Sequence, residues 1–347
     1  MPENTVPENT MPENTAAESA VTATDMPQTI RAARIHAFGG PEALVVEEID
    51  APVPGPGEVL VRVACAGLNP LDFKLRDGSS AKAAQLDLPA VLGREMSGTV
   101  VGAGPGTDLE ALGLPVGTRV FGMRAVDDWR GTYAQAVAID PATIAPVPEG
   151  GDLAVHAGLA LAGTTALTAL EDARLAPGET VLIHGGTGGV GQMLIQLAVA
   201  AGAHRVWATG SEANAERIAE LGATPIPHDT GDWQEALREQ TGGRGVDVII
   251  DTHYFGTFLP SLDHLAEGGR IVVLPTLADV SPATERGIEA HVPALSPSRA
   301  VLERLADDHA RGLLDVEIAE VLPLAEVARG HELLETGHTR GKIVLEP

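Results

Sequence analysis

The residues with the most specific chemistry form one run, Val181-Leu182-Ile183-His184-Gly185-Gly186-Thr187-Gly188-Gly189-Val190-Gly191. An apolar stretch ends, glycines follow, and a second apolar stretch begins. Gly186, Gly188 and Gly191 fit G-x-G-x-x-G. Glycines in that pattern make a tight turn, let backbone approach a pyrophosphate and let a helix meet a strand closely. Phosphate oxygens then lie on free N–H groups at the helix N-terminus. Gly186, Thr187, Gly188, Gly189 and Val190 are therefore the expected phosphate cradle of a dinucleotide. The next strand, ending Trp207-Ala208-Thr209-Gly210-Ser211, reports the nucleotide. NAD sites usually carry Asp or Glu at that strand end, to bond the ribose 2′-OH. Here Gly210 and Ser211 would not repel a 2′-phosphate. The only nearby cation is Arg217, although Glu212 and Glu216 are also close. NADPH is the expected cofactor.

Such a loop needs a strand before it and a helix after it. After about residue 153 the apolar period supplies them. A helical stretch at 153–170 leads to strands at 180–184, 205–209, 224–227, 246–251 and 270–274, with helices at 188–201, 212–221, 231–241 and 257–266 between and after them. Five strand–helix units predict a parallel, doubly wound Rossmann sheet with right-handed crossovers. Leu274, at the end of the fifth strand, is grouped with the cofactor residues. Upstream, from Arg31, short strands alternate with Gly/Pro turns and predict a β-barrel-like domain. They include 33–37, 44–49, 59–66, 98–102 and 119–122, with 91–93 and 131–134 continuing the pattern. A last stretch has a helix at 298–311, a strand at 316–322, a helix at 324–335 and a strand at 342–345, which returns to the barrel. The expected organisation is a disordered acidic tail at 1–28, a barrel domain from 29–153 with 295–347, and a cofactor domain at 154–294. The tail repeats one pentapeptide three times, as Met/Val-Pro-Glu-Asn-Thr. It is too polar to offset ordering entropy by burial.

Composition removes several classes. The 347 residues carry 23 Lys and Arg against 48 Asp and Glu, a formal charge of −25. Nucleic acid and anionic membrane surfaces, which need clustered cations, are disfavoured. The long uncharged runs, around 153–170 and 184–204, read as too polar for membrane spans. No basic residue precedes Arg31 and no apolar leader is present, so a cytoplasmic location is expected. A single cysteine, Cys65, excludes an internal disulfide and a Cys₄ zinc lobe. Only three residues are Lys: Lys74, Lys82 and Lys342.

Further segments then point to a family. Arg34-Ile35-His36-Ala37-Phe38-Gly39-Gly40-Pro41-Glu42, Gly55-Pro56-Gly57-Glu58-Val59-Leu60-Val61-Arg62-Val63 and Gly67-Leu68-Asn69-Pro70-Leu71-Asp72 precede the glycine loop. Leu161-Ala162-Gly163-Thr164-Thr165-Ala166, Gly242-Gly243-Arg244-Gly245-Val246-Asp247 and Gly341-Lys342-Ile343-Val344-Leu345 complete the set. With the glycine loop, their order and spacing resemble the zinc-independent medium-chain dehydrogenase/reductase superfamily, in its quinone oxidoreductase and enone reductase branch (zeta-crystallin-like). The resemblance implies an α/β chain: a GroES-like β-barrel domain packed on a Rossmann domain, with the active site in the cleft between them. It also implies a homodimer or homotetramer and a small carbonyl or quinone substrate.

Residue roles follow from the same resemblance. Asn69-Pro70-Leu71-Asp72-Phe73-Lys74 matches an element that faces the nicotinamide, so Lys74 and Asn69 are the leading catalytic candidates. Lys74 would stabilise an enolate oxygen, unless it is simply solvated or paired with Asp72. Thr165 matches a threonine lining the nicotinamide pocket, unless it is an ordinary helix hydroxyl bonded back to a carbonyl, and Lys342 matches a lysine that reaches the cofactor or merely flanks a strand. Zinc relatives carry Cys where this chain has Asn69, and His where it has Arg94, so no metal is expected. Reduction of an activated C=C or a quinone fits a site without a Lewis acid better than alcohol oxidation does. Asp251-Thr252-His253-Tyr254-Phe255-Gly256 departs from the family's small Asp-x-Val-Gly-Gly. There Tyr254 or His253 is read as a proton donor, as a stacking surface or as lid packing. That departure motivates a rival reading, a redox-neutral cyclase or isomerase on the same fold.

Overall fold

A computed structural model describes residues 26–275 and 278–347; the pentapeptide repeats lie outside the described residues. The barrel half contains β1 (Thr29–Ile35), β2 (Leu44–Asp50), β3 (Val59–Gly67), α1 (Pro70–Arg76), β4 (Ala90–Val91), β5 (Glu95–Ala103), β6 (Arg119–Met123), β7 (Ala136–Ile139) and β8 (Ile144–Pro146). β2, β1 and β4 make a small sheet. β3 pairs antiparallel with β5 and β7, β5 with β6, and β6 with β8. Their inward residues, Val59, Val61, Val63, Met96, Val100, Val120 and Ile139 among them, form one apolar core. At Gly98 a Cβ would lie 2.1 Å from the Arg62 carbonyl oxygen, so the β3–β5 approach requires glycine there. The expected strand at 131–134 is only an isolated bridge at Ala134, and the regular pairing starts at Ala136.

α1 was not anticipated, because Asn69-Pro70 reads as a turn. The Asp72 carboxylate accepts the Asn69 N–H at 2.8 Å and Pro70 occupies the first helical position. Together they start a helix, as a reciprocal N-terminal cap does.

α2 (Leu153–Asp172) is long and apolar enough to cross a membrane by length and composition, contrary to the polar reading of that run, but 67% of its apolar window is buried inside the protein. It packs on β3, β5 and β6 on one side and on α3 on the other. One core cluster therefore runs through it, from Phe121 and Met123 to Val181, Ile183 and Met193.

The second half continues with β9 (Thr180–His184), α3 (Gly189–Ala200), β10 (Arg205–Gly210), α4 (Ala215–Glu220), β11 (Thr224–Pro227), α5 (Trp233–Gln240), β12 (Val246–Asp251), α6 (Phe258–Ser261), β13 (Leu265–Val273), α7 (Ser281–Glu285) and β14 (Glu289–His291). The strands form a parallel sheet in the order β11-β10-β9-β12-β13-β14. Three of the five expected strands have the expected ends. β13 starts earlier and shortens the helix before it. β14 has no apolar run, which is why the sixth strand was not read.

The chain then forms α8 (Arg299–Ala310), β15 (Ile318–Pro323), α9 (Val327–Glu335) and β16 (Lys342–Glu346). β16 pairs antiparallel with β3 through Val344–Gly67 and Leu345–Ala66, and β15 pairs parallel with β16. The last strand thus returns to the first half and carries Lys342 to the end of β3.

Candidate active site

The strand order reverses between β9 and β12, because β10 and β11 lie on one side of β9 while β13 and β14 lie beyond β12. Ligands of such sheets bind in the crevice at the carboxyl ends of these two strands. The loop after β9 is shaped by contacts that can be separated glycine by glycine. A Cβ at Gly191 would meet the Gly185 carbonyl oxygen at 1.9 Å, one at Gly186 would meet Ala208 at 2.6 Å, and one at Gly189 would meet the Lys342 side chain at 2.5 Å. At Gly188 nothing lies nearer than 3.6 Å and φ is an ordinary −69°. The protein itself does not demand glycine at 188. A side chain there would fill the space before α3, whose N-terminus has no side-chain cap. That space and those free N–H groups fit a pyrophosphate, with Gly186, Thr187, Gly188, Gly189 and Val190 around it.

Under the loop lies a polar network that the sequence reading missed. Ser261 Oγ donates its one proton to the Thr257 carbonyl, so it must accept from His184 Nε2 at 2.9 Å. His184 Nδ1 then accepts from the Thr209 hydroxyl at 3.2 Å, and Thr209 Oγ1 accepts the Gly185 N–H at 3.1 Å. Every proton is accounted for only if His184 is neutral. Consistently, burial pushes its pKa down to about 4. The available signal was a lone His closing an otherwise apolar strand. Asn214 adds a link from the end of β10, its Nδ2 donating to Thr187 Oγ1 at 3.3 Å.

At the end of β3 the structure brings Asn69 and Lys342 together and adds Glu95. Lys342 Nζ donates to Leu68 O at 2.8 Å, Asn69 Oδ1 at 2.6 Å and Glu95 Oε1 at 2.8 Å. Asn69 Nδ2 donates to Glu95 Oε1 at 2.8 Å, and Glu95 Oε2 accepts the Leu161 N–H at 2.6 Å. All three residues are buried. An ammonium has three protons, and all three are used. Lys342 therefore has no ammonium proton left for a cofactor, which favours the second of its two readings. Its stem lies against Gly158 and Gly189, and Gly341 N–H bonds the Thr187 carbonyl at 3.0 Å, so the segment clamps the glycine loop. The second amide hydrogen of Asn69 has no partner among the described residues.

Asp72 lies directly beneath. Its Oδ2 accepts from Tyr133 Oη and Asn69 N at 2.8 Å each, while Oδ1 has no partner. Complete burial pushes its pKa up to about 6, against the pull of Tyr133. Asp72 is therefore not the partner of Lys74. Lys74 is half-buried, near the Phe73 ring, and makes no hydrogen bond or ion pair among the described residues. Arg94 is also buried, but its hydrogen bonds go elsewhere. It donates to Asp128 O and Ala125 O and lies over the Trp129 ring at 4.7 Å.

Other expected residues are engaged elsewhere. The Thr165 hydroxyl donates backwards to Leu161 O at 2.7 Å within α2, so its proton is not offered to a ligand. Arg217 pairs with Asp315 at 2.5 Å and Glu317 at 3.2 Å and bonds Gln192 Oε1 at 3.2 Å, which corrects its reading as a free cation for the 2′-phosphate. Gly210 ends β10 against Ile218, where a Cβ would lie 2.7 Å from its Cδ1, and Ser211 follows it. The Leu274 N–H donates to Asp251 O at 2.9 Å.

Of the three readings of Tyr254, its contacts match lid packing. Its hydroxyl donates to Asp279 O at 3.2 Å and accepts Asp279 N–H at 3.1 Å, and its ring stacks on Phe258. It holds a left-handed φ of 69°, which the Asp251 carboxylate supports by accepting the His253 and Tyr254 N–H groups at 2.9 Å. His253 does lie at the crevice, its ring against Gly185.

Comparison with known proteins agrees with this arrangement. Residues 55–149 match the alcohol dehydrogenase GroES-like domain, and residues 221–345 match a family described as zinc-binding dehydrogenase. The chain is 32% identical to a 2-haloacrylate reductase from a Burkholderia species over 337 residues, covering 92% of this chain and 99% of the relative. The chain belongs to the zinc-independent medium-chain dehydrogenase/reductase family, quinone oxidoreductase branch. It is 29% identical to the quinone oxidoreductase of Rattus norvegicus, over 91% of this chain and 97% of that one. The solved quinone oxidoreductase of Coxiella burnetii superposes with a TM-score of 0.86 at 33% identity, covering 92% of this chain and 99% of that one. A mycobacterial structure solved with NADPH gives 0.82 at 30%, covering 91% and 100%. Membership makes the chain an oxidoreductase, and the family uses a nicotinamide cofactor. Asn69 and Glu95 here hold the Lys342 ammonium.

Proposed function

We propose that the protein transfers hydride from NADPH to an α,β-unsaturated carbonyl compound or a quinone, without zinc. The observation that carries this reading is the Lys342–Asn69–Glu95 cluster, in which the ammonium occupies Asn69 Oδ1 and Glu95 Oε1. It leaves no open ligand position, so it favours substrates whose own conjugation spreads the developing charge. The Burkholderia relative's name, 2-haloacrylate reductase, describes an activated C=C, and the rat relative's name a quinone.

The bound cofactor would supply the hydride. The glycine loop would hold its pyrophosphate. The second Asn69 amide hydrogen and the Lys74 ammonium are the donors for a substrate oxygen as charge develops on it. Glu95 fixes the Asn69 amide, since its carboxylate accepts from Nδ2 while Lys342 donates to Oδ1. The proton that completes the reduction comes from solvent, because Tyr254 spends its hydroxyl on Asp279.

NADPH rather than NADH is supported by the absence of a carboxylate in Thr209-Gly210-Ser211 and by the NADPH bound to the mycobacterial relative. Arg217 would have to leave Asp315 to meet a 2′-phosphate. A screen of quinones, enones and enoyl thioesters with both nucleotides, following loss of reduced-cofactor absorbance, tests the reading. NADPH is expected to show the lower Kd and to be consumed with at least one class. Tighter NADH binding would reverse the nucleotide assignment. Binding without consumption by any class would favour the redox-neutral cyclase or isomerase.

A further inference from the structure

The 252–256 turn replaces small residues by larger ones, and His253 is the member that faces the glycine loop. A Cβ on Gly185 would lie 2.4 Å from His253 Cε1 and 2.6 Å from Thr252 Oγ1. The tautomer of His253 follows from counting protons. The Thr252 hydroxyl donates its single proton to the His184 carbonyl at 2.8 Å. Its oxygen also lies 3.0 Å from His253 Nδ1. With no proton left to give, Thr252 must accept there, so Nδ1 carries the hydrogen. Nε2 is then a lone-pair acceptor, next to the Cε1 that touches the loop. It has no partner among the described residues, and the side chain is exposed.

The ring's place in the sheet indicates what it meets. The strand order β11-β10-β9-β12-β13-β14 is that of two mononucleotide-binding halves. β9, β10 and β11 form the adenosine half. β12, whose C-terminal turn carries His253, begins the other half, facing the nicotinamide nucleotide. The neutral donors of that half nearest the pyrophosphate are ribose hydroxyls.

Resting on the nicotinamide-cofactor reading, we propose that His253 is a positioning residue whose Nε2 accepts a hydrogen bond from a hydroxyl of the nicotinamide ribose. Asp251 orients it by accepting the His253 N–H at 2.9 Å, and Thr252 fixes its tautomer. The same geometry removes His253 from proton delivery, since its one hydrogen points into Thr252.

The test measures Kd calorimetrically for NADPH and for 2′,5′-ADP, which lacks the nicotinamide ribose. His253→Ala is expected to weaken NADPH roughly three- to tenfold, the range of one net hydrogen bond. It should leave 2′,5′-ADP unchanged, which also shows that the loop is still folded. His253→Gln, which keeps an acceptor, should recover most of the loss. Equal weakening of both ligands, no change in either, or a Gln variant no better than Ala would overturn the assignment. If the wild-type protein bound neither NADPH nor NADH, the cofactor reading itself would fail. If NADH proved the tighter ligand, the same comparison runs with NADH and ADP.

Discussion

Glu95→Ala is expected to destabilise the protein by about 3–5 kcal/mol, the cost of leaving a buried charge without its partner. Glu95 is fully buried and Lys342 nearly so, and their charged atoms are 2.8 Å apart. Removing the carboxylate strands the Lys342 ammonium among two neutral acceptors, Leu68 O and Asn69 Oδ1. It also orphans the Asn69 amide and removes an acceptor from the Leu161 N–H of α2. The double variant Glu95→Ala/Lys342→Met should recover part of the loss, because the stranded charge is gone and an apolar stem still packs on Gly158 and Gly189. Urea unfolding of the three proteins measures this. A loss under about 1 kcal/mol for Glu95→Ala would mean that the pair is open to water and contributes as a surface bridge does.

This cluster also shows what the sequence disclosed and what it hid. The alternation of period-2 and helical stretches, punctuated by glycine and proline, disclosed the barrel-like half, the parallel sheet and the return of the last strand to the first half. The glycine loop was legible because each of its constraints is local: Gly191 meets Gly185, and Gly188 opens onto α3. Glu95 was not legible as a site residue. Its partners are 26, 66 and 247 positions away, and nothing in Gly93-Arg94-Glu95 says which of two charged neighbours meets Asn69 and Lys342. For Arg217, Thr165 and Tyr254, residue type alone left the choice between ligand and protein partner open. Each has a residue type suited to a ligand, but a protein acceptor lies nearer: Asp315, the carbonyl one helical turn back, and the Asp279 backbone. The hydrogen-bonding capacity of a side chain is a property of its type. Whether that capacity is already used is a property of the fold.

Lys74 is the expected catalytic cation that this accounting leaves unused, and Lys74→Ala is expected to lower kcat/KM by about a hundredfold, the effect of losing one preorganised oxyanion donor. The Kd for NADPH should stay within about twofold. The split follows from the proposed role. An ammonium that meets charge only as it develops on the substrate oxygen contributes to the transition state and little to ground-state cofactor binding. Lys74→Arg should restore only part of the rate, because a planar guanidinium on a longer stem presents its donors differently from a compact ammonium. Lys82→Ala, at an exposed position, is the control and should change neither quantity. The three lysines of the chain are thereby separated by experiment: Lys342 holds the loop, Lys82 is solvated, and Lys74 is the one proposed to act on the substrate. Equal losses in kcat/KM and in NADPH binding would make Lys74 a cofactor ligand. That outcome would leave the Asn69 amide, held by Glu95 and Lys342, as the donor to the substrate oxygen.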